Sequence, residues 1–257
     1  MVLFKRPWIL ALLVSTSWAA KIYLCGDSTM ASNGKNGMDG WGNYLTPFVD
    51  LSVVNRARGG RSARSYTREG LFNEVAKLVT AGDWVVIEFG HNDGGSVSPS
   101  NDNGRTDCPV KPGAGGEKST CAVNFEGEKV AKTFPAYLQD AGKMFVAKGA
   151  KVIMSSQTPN NVYETKKYVY SPSRFGEFAK DAAKAVGPQA FFVDHGLYTA
   201  EAYKQINNAS IVTNNLFMKG DHTHTTVEGA KLVAKAFAKA VVCAKIPFAE
   251  HVKKVSC

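Results

Sequence analysis

The sequence predicts a single α/β domain built on a parallel sheet, and three observations carry that expectation. Short β-type runs recur at Ile22 to Cys25, Ser52 to Asn55, Trp84 to Phe89, Lys151 to Ser155 and Gln189 to Val193. Each is separated from the next by enough chain for a helix, the spacing that parallel strands with helical crossovers require. The 257 residues, 44% hydrophobic and 21% charged, suffice for one sizeable core and exclude a disordered or fibrous chain.

In chain order, the first element is not part of the domain. Lys5 and Arg6 precede an apolar stretch from Trp8 to Val14 that ends in Ser17-Trp18-Ala19. A basic start, a short apolar run and small residues before a cut describe a secretory signal peptide, residues 1–19, cleaved after Ala19. One domain, 20–257, is then expected outside the cell. Beyond the N-terminus no apolar run approaches the roughly 18 residues of a membrane span.

The helices between the strands are read from periodicity. Tyr137, Leu138, Ala141, Met144 and Phe145 share one helical face after Pro135, and Phe175, Phe178 and Ala182 follow a start at Ser171-Pro172. Thr225 and Glu228 have capping-box spacing ahead of the stripe Ala230, Val233, Ala234, Phe237 and Val241, so His224 lies just outside a helix N-terminus. From Gly94 to Gly127 there is no periodicity, and the Gly, Pro, Asn and Ser content describes a long excursion.

Five cysteines in an exported chain suggest disulfides with one thiol left over. Cys108 and Cys121 bracket a Gly/Pro-rich loop, Cys243 and Cys257 bracket the C-terminal tail, and each pair can close a local ring. Cys25 lies inside a strand run. Asn208-Ala209-Ser210 is a glycosylation sequon, which fits a secreted surface loop. The formal net charge of +9 falls to +7 without Lys5 and Arg6. A basic protein of this kind suits an acidic polymer, but the lysines are dispersed and no nucleic-acid module is recognisable.

The chemistry lies in residues that follow strands. Gly26-Asp27-Ser28 places a hydroxyl at the carboxyl end of the first strand, where open α/β folds bind ligands. A serine nucleophile needs a base and a group to orient it, and Asp221-His222-Thr223-His224 offers an Asp three residues before a His. His224 is the expected base, because His222 is adjacent to Asp221 and cannot easily fold back on it. Gly60 after the second strand and Asn92 after the third can donate a backbone N–H and a side-chain amide to an oxyanion. Singly each reads as a turn or a cap; together they sit at one edge of one sheet.

Gly-Asp-Ser-Thr-Met, the post-strand Gly, Gly-His-Asn-Asp and Asp-x-x-His, in this order, resemble the four blocks of the SGNH/GDSL hydrolases. Arg61 to Gly70, Glu88 to Gly95, Ser155 to Asn161 and Asp221 to Thr225 are similar, within that family, to fungal rhamnogalacturonan acetylesterases. The resemblance covers the whole domain. It implies a three-layer flavodoxin-like fold with a five-stranded parallel sheet and a Ser28, His224, Asp221 triad. It implies oxyanion donors at Ser28 N–H, Gly60 N–H and Asn92, and no cofactor or metal. It also supports the pairs Cys108 with Cys121 and Cys243 with Cys257. The segment from Cys108 to Cys121 is longer than the resemblance leads one to expect.

The implied substrate is an acetylated acidic polysaccharide, rhamnogalacturonan of pectin, acted on by a monomer without nucleic-acid or membrane partners. Arg56, Arg58, Arg61, Arg64 and Arg68 read mostly as a solvated face, with Arg58 and Arg61, beside Gly60, placed to reach substrate. Other polysaccharide acetates such as xylan, or a lipase or thioesterase of the same fold, would use the same triad; the polar loop from Gly94 to Asn101 argues against an apolar substrate. A metal phosphoesterase would need Asp27, His91, Asp93, Asp221, His222 and His224 as ligands, but the motif order does not match. A non-catalytic pectin-binding protein would have no need of an intact triad.

Overall fold

The structure, a computed structural model, describes residues 19–34, 36–113 and 115–257; the expected signal peptide, apart from Ala19, lies outside them. Five parallel strands form the sheet: β1 Lys21–Gly26, β2 Ser52–Asn55, β3 Trp84–Glu88, β6 Lys151–Ser155 and β7 Ala190–Val193. Their order is β2-β1-β3-β6-β7. The chain therefore moves from β1 to β2 on one side and then to β3 on the other. That reversal opens a crevice at the carboxyl ends of β1 and β3, the usual ligand position in such sheets.

The strands read as near-continuous apolar runs because both faces are covered. Side chains alternate across a strand, so Ile22 and Leu24 enter one core with Trp84, Val86 and Ile153, while Tyr23 and Cys25 enter the other with Val85, Ile87 and Met154. The first core is closed by Tyr203 of α5 (His195–Ile206) and by Val233 and Phe237 of α7 (Val227–Ala244). A three-residue turn of helix, α6 (Ala209–Ile211), lies between those two. The second core is closed by Tyr66 of α1 (Ala63–Arg68), Phe72 of α2 (Leu71–Ala76), Phe145 of α3 (Phe134–Ala147) and Ala182 of α4 (Arg174–Val186). Cys25 is fully buried there, unpaired, and burial pushes its thiol up to about 12.

Two expected boundaries shift, each because a different side chain makes the cap. Helix α4 begins after Ser173, whose Oγ accepts from Phe175 N–H, so Ser171-Pro172 stays in the preceding loop. Helix α7 is capped by Thr226, which accepts from Gly229 N–H. Thr225 is occupied elsewhere, donating its hydroxyl to the Asp39 carbonyl at 3.0 Å.

The excursion from Gly94 ends in a hairpin, β4 Thr120–Phe125 and β5 Glu128–Lys132, that periodicity does not show. Its connection, Glu126-Gly127, has φ of +47° and +88°, which suits a tight hairpin turn. Only Val123 and Ala131 are buried with Cys108, too few positions to leave a period-2 signal. The Cys108–Cys121 disulfide closes over this small core, and the Cys243–Cys257 disulfide returns the tail to α7.

Arg64 departs from the expected solvated face. Its side chain is fully buried, held in bidentate fashion by Asp102 at 2.7 and 2.9 Å, by Glu128 at 2.8 Å and by the Thr106 carbonyl at 2.8 Å. Arg68, one turn on, lies over the Phe125 ring at 4.5 Å. Both arginines pin the excursion to α1.

Candidate active site

Ser28 follows β1 in a turn that only the preceding residues allow. A Cβ at Gly26 would lie 2.8 Å from the Glu88 carbonyl oxygen of the neighbouring strand, so the close approach of β1 and β3 requires glycine. Asp27 is buried and accepts from the Thr29 backbone N–H at 2.9 Å and hydroxyl at 2.8 Å, closing the turn that presents Ser28. Asn33 Nδ2 donates to the Ser28 carbonyl at 3.0 Å and holds it from behind.

His224 Nε2 lies 2.8 Å from Ser28 Oγ, and His224 Nδ1 lies 2.7 Å from Asp221 Oδ2. The other Asp221 oxygen accepts from Thr223 and His224 backbone N–H groups at 2.7 and 3.0 Å. Partial burial alone would raise the Asp221 carboxyl; these N–H donors and the imidazole outweigh it and hold the group below the usual carboxylate range. His222 turns outward to Glu164 at 2.9 Å, so the geometry separates the two histidines.

The His224 loop is braced from two sides, and motif reading does not single out the first, at Asp39. Asp39 N–H donates to the Thr225 carbonyl at 3.1 Å, tying it to the segment after Ser28. Asp39 itself is fixed by Asn33, Gly40, Asn43 and Tyr44. From the loop after β6, Asn161 N–H donates to the His222 carbonyl at 2.7 Å, and Thr223 donates its hydroxyl to Asn160 Oδ1 at 2.9 Å.

Gly60 sits in the left-handed region at φ +74°, and a Cβ at Gly59 would be 3.8 Å from Ser28 Cβ, so this turn lies against the nucleophile. Asn92 is fixed at both ends: Nδ2 donates to the Arg61 carbonyl at 3.1 Å, and Oδ1 accepts from Arg105 at 3.2 Å. Its amide has a second hydrogen to offer. Arg61 grips its own turn, donating to the Gly59 carbonyl at 2.9 Å and to Glu69 at 3.0 Å. Arg58 is exposed on the neighbouring surface beside Tyr66 and Glu74.

His195, the first residue of α5, is structural. It is buried, with Nδ1 on Glu88 at 2.7 Å and Nε2 on the Val233 carbonyl at 3.0 Å, while Asp194 caps α5. Among the described residues, the acidic and imidazole side chains of these blocks do not converge into a metal-ligand cluster; His91 meets Thr158 and His222 meets Glu164.

Asp93, next to Asn92, introduces a pH dependence. One of its oxygens accepts from Ala63 N–H at 2.7 Å; the other, and both oxygens of Asp107, are buried without a donor. The two carboxyls face each other, and a proton kept on one lets it donate to the other. Burial first, then mutual repulsion, raises Asp107 well above the carboxylate range; burial, with a contribution from Asp27, moves Asp93 to about 7, against the pull of the Ala63 N–H. Arg64 opposes and Glu128 reinforces the shift at Asp107. Because the folded state holds these protons more tightly than the unfolded chain, their stabilisation is complete below about pH 4 and declines as the pH rises toward 7. The thermal midpoint should therefore drop over that window. Asp107→Asn, which supplies a permanent donor to Asp93, should flatten the decline; an unchanged slope would place its origin elsewhere.

The family model for GDSL-like lipases and acylhydrolases matches residues 22–237, and the chain belongs to that family. It is 49% identical over 235 residues to a rhamnogalacturonan acetylesterase of Emericella nidulans, covering 91% of this chain and 89% of that one. It is 25% identical to YesY of Bacillus subtilis, a probable rhamnogalacturonan acetylesterase, covering 92% and 99% of the two chains. Among solved structures, the Bacillus subtilis protein YxiM superposes with a TM-score of 0.67 at 21% identity, covering 90% of this chain; this chain spans 58% of that longer protein. A catalytic mutant of Axe2, an acetylxylan esterase of Geobacillus stearothermophilus, gives 0.53 at 17% identity, with 89% and 95% covered. These two structures share the fold.

Proposed function

We propose that this protein is a secreted, metal-independent serine esterase that removes acetyl groups from rhamnogalacturonan. The observation that carries the reading is the continuous chain Ser28 Oγ, His224 and Asp221, at 2.8 and 2.7 Å, at the switch point of the sheet. The likeness to the Emericella enzyme supports the substrate. In the mechanism, Ser28 Oγ attacks the acetyl carbonyl as His224 Nε2 takes its proton, and Asp221 stabilises the imidazolium. Ser28 N–H, Gly60 N–H and the Asn92 amide receive the oxyanion. Collapse returns the proton from His224 to the departing sugar oxygen and leaves acetyl-Ser28. Water, activated by His224, then releases acetate. His224 and Asp221 keep 28% and 33% of their side-chain surface exposed, an open site that a polymer can cross.

Acetate release from acetylated rhamnogalacturonan, acetylated xylan and triacetin tests the substrate. Fastest release from rhamnogalacturonan is expected; faster release from xylan would favour the other polysaccharide acetates. Of the two arginines beside Gly60, Arg58 has no side-chain partner among the described residues and is proposed to meet galacturonate, while Arg61 braces the Gly59-Gly60 turn. Arg58→Gln should raise KM for the acidic polymer and leave a neutral acetate ester unchanged. High salt should mimic it as the Debye length falls from about 10 Å at 0.1 M to about 3 Å at 1 M. Arg61→Gln should instead lower kcat on both substrates. The two disulfides and the exposed Asn208, which caps a turn through Oδ1 and leaves Nδ2 for a glycan, support export.

A further inference from the structure

A cavity of about 600 Å³ opens between α5, α7 and the C-terminal tail. Helix α7 starts just after His224, and the lining residues Lys235 and Lys239 lie eight and twelve positions into it, about 12 and 18 Å along its axis. The cavity is therefore separate from the triad. Lys235 and Lys239 stand one turn apart on one face of the helix, and Lys254 closes the rim from the tail. That tail is held in place: the Cys243–Cys257 disulfide ties its end to α7, Val252 bridges to Val49, and Lys254 itself adopts φ +62°.

The charge of the cavity is unbalanced. Glu201 is its one acidic lining residue, and it already meets Lys204 at 3.8 Å and the Tyr168 hydroxyl at 3.4 Å. Among the described residues, Lys235, Lys239 and Lys254 carry no ion pair. Ile206, Leu232 and Val255 add apolar surface to the same lining. Cationic groups and apolar surface in one lining suit a ligand with regularly spaced carboxylates and exposed C–H faces, which describes a run of uronic acid residues in a polysaccharide.

We propose that this cavity is a second, non-catalytic site that holds an unacetylated, galacturonate-containing stretch of the polymer while another stretch crosses Ser28. The proposal rests on the substrate reading above, and its effect is to raise the local concentration of acetyl esters at the triad. The test is calorimetric titration of the full chain with unacetylated oligogalacturonate, which the enzyme cannot turn over. Wild type and Ser28→Ala should bind equally. The triple variant Lys235→Gln, Lys239→Gln, Lys254→Gln should bind about tenfold more weakly, the scale of three exposed ion pairs lost together, while hydrolysing a neutral acetate ester at the wild-type rate. The corresponding triple Arg variant should restore binding.

Unchanged affinity in the triple Gln variant, or no binding by wild type, would overturn the proposal. Equal affinity for a single-stranded oligonucleotide of the same charge would also overturn it, since the site would then select charge alone. Failure to release acetate from rhamnogalacturonan, with oligogalacturonate binding still dependent on these lysines, would remove the substrate reading and leave this site standing.

Discussion

Ser28→Ala should fold normally and lose about three to six orders of magnitude in deacetylation. The expected fold follows from the contacts: among the described residues the Ser28 hydroxyl meets only His224, while the turn is held by Asp27, Thr29 and Asn33 through groups the substitution leaves in place. His224→Ala should lose a similar amount, because the oxygen nucleophile then has no base within reach. His222→Ala should fall far less, since its ring meets Glu164 at the surface. Acetate release by the three purified variants decides the matter. More than a tenth of wild-type activity in Ser28→Ala would remove the nucleophile assignment, and a larger loss in His222→Ala than in His224→Ala would reverse the choice of histidine.

The residues expected to react were legible because each follows a strand whose apolar run is unmistakable. Ile22 to Cys25 and Trp84 to Phe89 are buried on both faces, so their ends are marked in the sequence and Ser28 and Asn92 can be counted from them. The Asp221 to His224 spacing was legible for a similar reason, standing just ahead of the long apolar stripe of α7. All five strands fall within one or two residues of their expected bounds.

The supporting residues were not legible, because their partners are distant in sequence. Arg64 sits in a run of five arginines, and nothing local says that Asp102 and Glu128 will close around it. The exchange between Thr225 and Thr226 has the same origin: either hydroxyl can cap α7, and the choice is made by the Asp39 carbonyl, nearly two hundred residues earlier. Asp93 and Asp107 likewise look like loop carboxylates until the excursion folds back and buries them together. Polar residues in loops carry no periodicity, so their burial is decided wholly by tertiary contacts.

Asn92→Ala should lower kcat by about 10²- to 10³-fold with KM for the polymer little changed. The amide is fixed before substrate arrives, with Nδ2 on the Arg61 carbonyl and Oδ1 on Arg105. A donor held this way stabilises the oxyanion without reorganising, so its loss falls on the transition state. The substitution also removes the link between the Asn92 loop and the Gly60 turn, and a second variant separates the two effects. Arg105→Ala frees one end of the amide but leaves the donor and its bond to Arg61 intact, and should cost about tenfold or less in kcat. Steady-state kinetics on one soluble acetate ester and on the polymer will distinguish the outcomes. If Asn92→Ala changes only KM, the amide binds ground-state substrate and the oxyanion falls to the backbone donors of Ser28 and Gly60. If Arg105→Ala matches Asn92→Ala, the orientation of the loop, and not the amide as a donor, is what the reaction needs.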